Sequence, residues 1–145
     1  MTVRPATDAD VPFIVEMGLQ FIGSTVYRSF LTPSVRHIED LVTRLIADDR
    51  GVVFVLEMRG GDVVGMLGAM LAEHFITGLP TATELFWWAD PSARGHGIRL
   101  LRAFEQWARS RGATVAQMVA PTADVAAIYE RVGYVEMERA YQRSL

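Results

Sequence analysis

The chain has 145 residues, 50% of them hydrophobic, a formal charge of -3 and no cysteine. That length and apolar fraction suit one domain, residues 1–145, with a real core. The charge gives no basic field for nucleic acid, the missing cysteines exclude disulfides and thiolate nucleophiles, and no apolar run approaches the roughly 20 residues that cross a bilayer.

Met1-Thr2-Val3-Arg4-Pro5 lacks the basic start and apolar stretch of a signal peptide, so a cytoplasmic chain that stays off membranes is expected. Val3 to Ala6 reads as a short strand, and Thr7-Asp8-Ala9-Asp10 as a helix start with acid in its first turn. Val11, Ile14, Val15, Gly18, Leu19 and Ile22 mark one apolar face, with Pro12 tolerated near the helix start. Gly23-Ser24-Thr25 breaks the pattern. Thr32-Pro33 restarts it, Pro33 taking the first helical position, and Val35, Ile38, Leu41, Val42, Leu45 and Ile46 form a second apolar stripe. Arg50-Gly51 closes that helix. Val52 to Met58 and Val63 to Glu73 are β-rich runs about a turn at Arg59-Gly60-Gly61-Asp62, a hairpin with Gly65 and Gly68 as possible bulge or close-approach sites. Thr77 to Pro80 is a further turn, and Thr83 to Ala89 a strand.

After Asp90-Pro91, the turn Arg94-Gly95-His96-Gly97 leads into Leu100, Leu101, Phe104, Trp107 and Ala108, which recur at helical spacing. A strand, a glycine turn and a helix N-terminus leave several backbone N–H groups unpaired at the positive end of the helix dipole. Gly95 and Gly97 remove the Cβ atoms that would hold a phosphate at a distance. This stretch predicts a phosphate-bearing cofactor. Arg111-Gly112 ends the third helix, Thr114 to Ala120 reads as a fifth strand, Ala123 to Val132 as a fourth helix stopped by Gly133, and Tyr134 to Arg143 as extended. The order describes a mixed α/β domain, antiparallel through its middle. His37, His74 and His96 share no ligand spacing, and no metal site is expected.

Two blocks resemble the GNAT superfamily of acetyl-CoA-dependent N-acetyltransferases. One is Pro91-Ser92-Ala93-Arg94-Gly95-His96-Gly97-Ile98 with Leu100-Leu101, similar to the family's pyrophosphate loop and helix. The other is Ala126-Ala127-Ile128-Tyr129-Glu130-Arg131-Val132-Gly133-Tyr134, similar to its tyrosine-bearing helix and following Gly-aromatic pair. The chain departs from the loop pattern at one position: Ser92 in one frame, Arg99 in the other. Thr122 stands where the family often begins the last helix with Asn, and still caps it.

The resemblance implies a central, mostly antiparallel sheet of about six to seven strands flanked by about four helices. It implies acetyl-CoA as acyl donor, bound by the backbone of Arg94, Gly95, His96, Gly97, Ile98 and Arg99. It places Trp88 N–H at the thioester oxygen and Ala89 beside the pantetheine arm, where the strand splays from its neighbour around Val119. Tyr129 becomes the acid that protonates the departing thiolate. Glu84 becomes the base, through water, for a primary amine on a small molecule or protein. Strand alternation puts Glu84 with Phe86 and Trp88 on one face and Leu85, Trp87 and Ala89 on the other. Burial beside those aromatics would raise the Glu84 pKa toward neutrality, whereas an arginine partner would make it an ordinary strand carboxylate. Glu73 and His74 are weaker base candidates.

Direct transfer in a ternary complex follows from the resemblance and agrees with the missing cysteine nucleophile. A homodimer stays open. So do two other classes: a non-catalytic acyl-CoA-binding or sensing domain, and a nucleotide-binding protein of the dinucleotide type. For the latter, a fuller glycine fingerprint should follow an early strand.

Overall fold

Five strands pair in chain order, β1-β2-β3-β4-β5, in the computed structural model, which describes residues 1–145. They are β1 (Thr2–Pro5), β2 (Gly51–Glu57), β3 (Val63–Glu73), β4 (Pro80–Ala89) and β5 (Val115–Gln117). The first four are antiparallel, and β5 runs parallel to β4. Turns at Gly61 (φ +93°) and Gly78 (φ +67°) make the two central hairpins. The parallel step needs a crossover, supplied by α3 (Ile98–Ser110). The other helices are α1 (Val11–Gly23), α2 (Val35–Ala47) and α4 (Ala123–Arg131).

The sheet is covered on both faces, which is why β2 reads as a continuous apolar run. Its Val53 and Val55 pack with Ile14, Met17, Val42 and Leu45 of α1 and α2. Phe54 and Leu56 point the other way, with Leu100, Leu101 and Phe104 of α3 and with Tyr129 of α4. No helix is long and apolar enough to cross a membrane.

The Thr7–Asp10 signal is a capping box: Thr7 N–H donates to Asp10 Oδ2 at 2.7 Å. Arg4 clamps the same carboxylate at 2.8 and 2.9 Å and reaches Glu57, holding the Asp10 pKa down at about 2. The start of α2 differs from expectation. Ser34 is its cap, accepting from His37 N–H, and Pro33 stands outside the helix.

The end of the chain also departs from expectation. The sheet has five strands, not six or seven, because β5 is only three residues long and Tyr134 to Leu145 joins no ladder. Val135 and Met137 alternate with Glu136 and Glu138, as a half-buried strand requires. Yet they are 78% and 85% exposed, so no strand edge or core face receives them.

Gly51 is required by packing, since a Cβ there would sit 2.7 Å from the Leu45 carbonyl oxygen. Gly51→Ala is expected to lower stability by about 1–3 kcal/mol, because backbone must move to admit the methyl. Urea unfolding of the two proteins checks this.

Candidate active site

A bulge in β4 sets the site. Gly68 pairs with Phe86 and Ala69 with Glu84, leaving Leu85 as the extra residue. Side-chain alternation therefore slips by one position between Glu84 and Phe86. Glu84, opposite Ala69, shares the α3–α4 face with Trp87 and Ala89, while Phe86 and Trp88 pack toward α1 and α2. The simple alternation expected from the sequence, with Glu84 beside Phe86 and Trp88, is overturned by this one residue.

Next to the bulge the sheet opens. β4 and β5 stay paired only from Thr81–Val115 to Thr83–Gln117, so Glu84 to Ala89 have no strand on that side. Glu84 fills the start of the gap, its Oε2 accepting from Val119 N–H at 3.0 Å. This contact is also why the fifth strand ends early: the Val119 amide is bonded to a side chain and cannot serve the ladder. From α4, the Tyr129 hydroxyl donates to the Val119 carbonyl at 3.3 Å. Carboxyl and phenol thus meet at the two polar groups of one residue.

Glu84 is 5% exposed, and no arginine or lysine pairs with it. Burial pushes its pKa up to about 7, with the Val119 N–H pulling the other way. It can hold or release a proton near neutrality. Burial, and then the Glu84 charge, push the Tyr129 hydroxyl well above the ordinary tyrosine range, so it stays a proton donor.

Trp87 stacks on the Tyr129 ring with centroids 5.5 Å apart, and the Tyr134 ring lies tilted to the same ring at 5.7 Å. The Tyr134 hydroxyl donates to Glu105 at 3.1 Å. Trp87 shares the Ala89 face as alternation expects, and the bulge brings Glu84 onto that same face. Thr122 caps α4, accepting from Val125 N–H, and so aims the helix that carries the tyrosine.

The glycine turn joins β4 to α3. Asp90 begins it by accepting from Ser92 N–H at 2.7 Å. The amides of Arg94, His96 and Arg99 donate to Pro91, Ala93 and His96 carbonyls within the turn. Those of Gly95, Gly97 and Ile98 have no acceptor. Free donors are thus three of the six expected, gathered where the α3 dipole is positive. Gly95 adopts φ +83°, which L side chains rarely tolerate. At Gly97 a Cβ would make only ordinary contacts with Ala89 and Trp87, at 3.5 and 3.6 Å, so packing there does not demand glycine. The Arg94 and His96 side chains are exposed. The Arg99 guanidinium turns away and donates to the Met1 carbonyl.

His74 stacks on Phe75 at the β3–β4 hairpin tip, where its Nδ1 accepts from Ile76 N–H. The turn itself occupies that ring.

Residues 12–134 match the family model described as "Acetyltransferase (GNAT) family". An aminoglycoside N(6')-acetyltransferase type 1 from Stenotrophomonas maltophilia is 26% identical over 145 residues, 95% of this chain and 88% of that protein. The fold is similar to that of an aminoglycoside antibiotic 6'-N-acetyltransferase from Acinetobacter haemolyticus, with TM-score 0.76 and 19% identity over 100% of this chain and 98% of that one. It is also similar to glucosamine-6-phosphate N-acetyltransferase from Arabidopsis thaliana, with TM-score 0.78 and 14% identity over 99% and 97% of the two chains.

Proposed function

The chain belongs to the GNAT acetyltransferase family, and from that premise we propose that it moves an acetyl group from acetyl-CoA to a primary amine by direct transfer. The observation that carries this reading is the meeting of Glu84 and Tyr129 at Val119, beside an open strand edge. A site that only bound the donor would need neither a carboxyl poised near neutrality nor a phenol held protonated.

Acetyl-CoA would supply the activated thioester. The N–H groups of Gly95, Gly97 and Ile98 would hold its diphosphate, with Arg94, His96 and Arg99 shaping the turn rather than donating. The β4 edge from Ala89 back toward Glu84 offers main-chain groups to a pantetheine arm in place of the missing strand. The Asp90 N–H donates to the Val64 carbonyl on β3, and strand alternation turns the Trp88 N–H, opposite Met66, the same way. The Trp87 and Ala89 N–H groups face the open edge instead and are the donors available to the thioester oxygen. Glu84 takes the proton that the attacking amine loses, and Tyr129 gives one to the departing thiolate.

Thiol release from acetyl-CoA against a panel of amines tests the proposal. The relatives are named for aminoglycosides and glucosamine-6-phosphate, so those amines head the panel. Turnover supports transfer; coenzyme A binding with no turnover on any amine supports a sensing domain instead.

The turn gives a second prediction. Gly95→Ala is expected to cost about 1 kcal/mol of stability, because the left-handed conformation is strained for Ala. It should also weaken coenzyme A binding several-fold as the free amides shift. Gly97→Ala, with a negative φ and ordinary contacts, should change either quantity little. Calorimetric titration and unfolding of both variants check the contrast.

A further inference from the structure

An open groove of about 750 Å³ lies on the surface between β1 and α3. It is on the opposite flank of α3 from Glu105, the partner of Tyr134, and neither Glu84 nor Tyr129 lines it. Arg99, Arg102 and Gln106 reach it at i, i+3 and i+7, which puts them on one helix face. Phe54 and Trp107 supply apolar wall. The protein has 17 acidic and 14 basic residues, yet no carboxylate lines this groove.

Neither arginine has a carboxylate partner elsewhere. Arg99 is held by the Met1 carbonyl, and Arg102 makes no side-chain hydrogen bond or ion pair. Arg99 is also one of the two residues at which the glycine-loop pattern breaks, and its side chain serves this groove rather than the loop. Both side chains are exposed, so water screens their mutual repulsion; an oxyanion between them would accept forked, charge-assisted hydrogen bonds from both. A bare ion would leave the aromatic wall unused.

We infer that the β1–α3 groove is a second ligand site, separate from the acetyl donor's, for a small organic anion. Its carboxylate or phosphoryl group bridges Arg99 and Arg102, and its flat apolar body lies against Trp107 and Phe54.

Calorimetric titration with 1-naphthyl phosphate and with 2-naphthoate tests this. At least one probe should bind, and the stronger one identifies the preferred anionic group. The R99A/R102A double variant should bind it about tenfold or more weakly, as expected for loss of charge-assisted hydrogen bonds. Uncharged 1-naphthalenemethanol should bind the unaltered protein more weakly by a similar factor, a comparison that stands even where the variant fails to fold. R99K/R102K should recover only part of the loss, because lysine lacks the planar fork. Equal binding by the neutral compound, undiminished binding without both arginines, displacement of the probe by coenzyme A, or no binding at millimolar probe would each overturn the inference.

Discussion

Glu84→Gln is expected to lower kcat by about a hundredfold or more, the usual scale for losing a positioned base, and to make the protein more stable above neutral pH. The two effects share one cause. Folding buries the carboxyl and raises its pKa from 4.5 to about 7. Between those values the folded protein keeps a proton that the unfolded chain has released, so stability falls as pH rises through this window. The whole loss is roughly 3 kcal/mol, taken as 1.36 kcal/mol per pKa unit. It is absent below pH 4.5 and complete above 7.

Glutamine keeps an acceptor for Val119 N–H but has no proton to lose. The stability advantage of the variant should therefore grow from pH 4.5 to 7 and then level off. In the unaltered enzyme, kcat/KM should climb through about pH 7 as Glu84 ionises, and the variant should lack that limb. Paired unfolding curves and rate profiles across pH 4–9 measure both. A variant that retains the acidic limb would assign the base elsewhere, and a flat stability difference would mean the carboxyl is better solvated than its burial implies.

What was readable from the residues divides by the range of the signal. The glycine turn, the Thr122 cap and the Tyr129 helix depend on neighbours within a few positions, and they appear where local rules place them. Nothing in β4 itself announces its bulge; the one hint is Gly68 on the partner run, a possible bulge or close-approach site, and the register slips between Gly68 and Ala69. Leu85 sits in the unbroken apolar run from Leu85 to Ala89, where either face of the sheet would accept the next side chain. Only the partner strand, with Gly68 under Phe86 and Ala69 opposite Glu84, decides the slip. Thr114 to Ala120 looks like one long strand, because nothing near it shows that Glu84, 35 residues earlier, takes the Val119 amide. The C-terminal segment has the right alternation, but a strand also needs an edge to join. The misses that matter for the candidate site are therefore non-local: the bulge, a register set with β3, and the Glu84–Val119 contact.

Tyr129→Phe should have the second large effect, a fall in kcat of about a hundredfold with coenzyme A affinity unchanged within about twofold. The substitution removes one oxygen. The ring keeps its stack on Trp87 and its contact with Tyr134, so the wall beside the open strand edge is preserved. Losing the bond to the Val119 carbonyl should cost about 1 kcal/mol of stability, too little to unfold a domain of this size. The hydroxyl titrates well above the ordinary tyrosine value of 10.0, because burial and the Glu84 charge both oppose the phenolate. The acid therefore stays loaded across the working range, and kcat in the unaltered enzyme should hold flat from pH 8 to 10 rather than falling on a basic limb. A purely structural tyrosine would give a different pattern: lower melting temperature and lower coenzyme A affinity, with kcat intact at saturation. Measuring kcat, coenzyme A affinity and unfolding on one preparation of the variant separates these cases, and kcat alone should move by more than a few-fold.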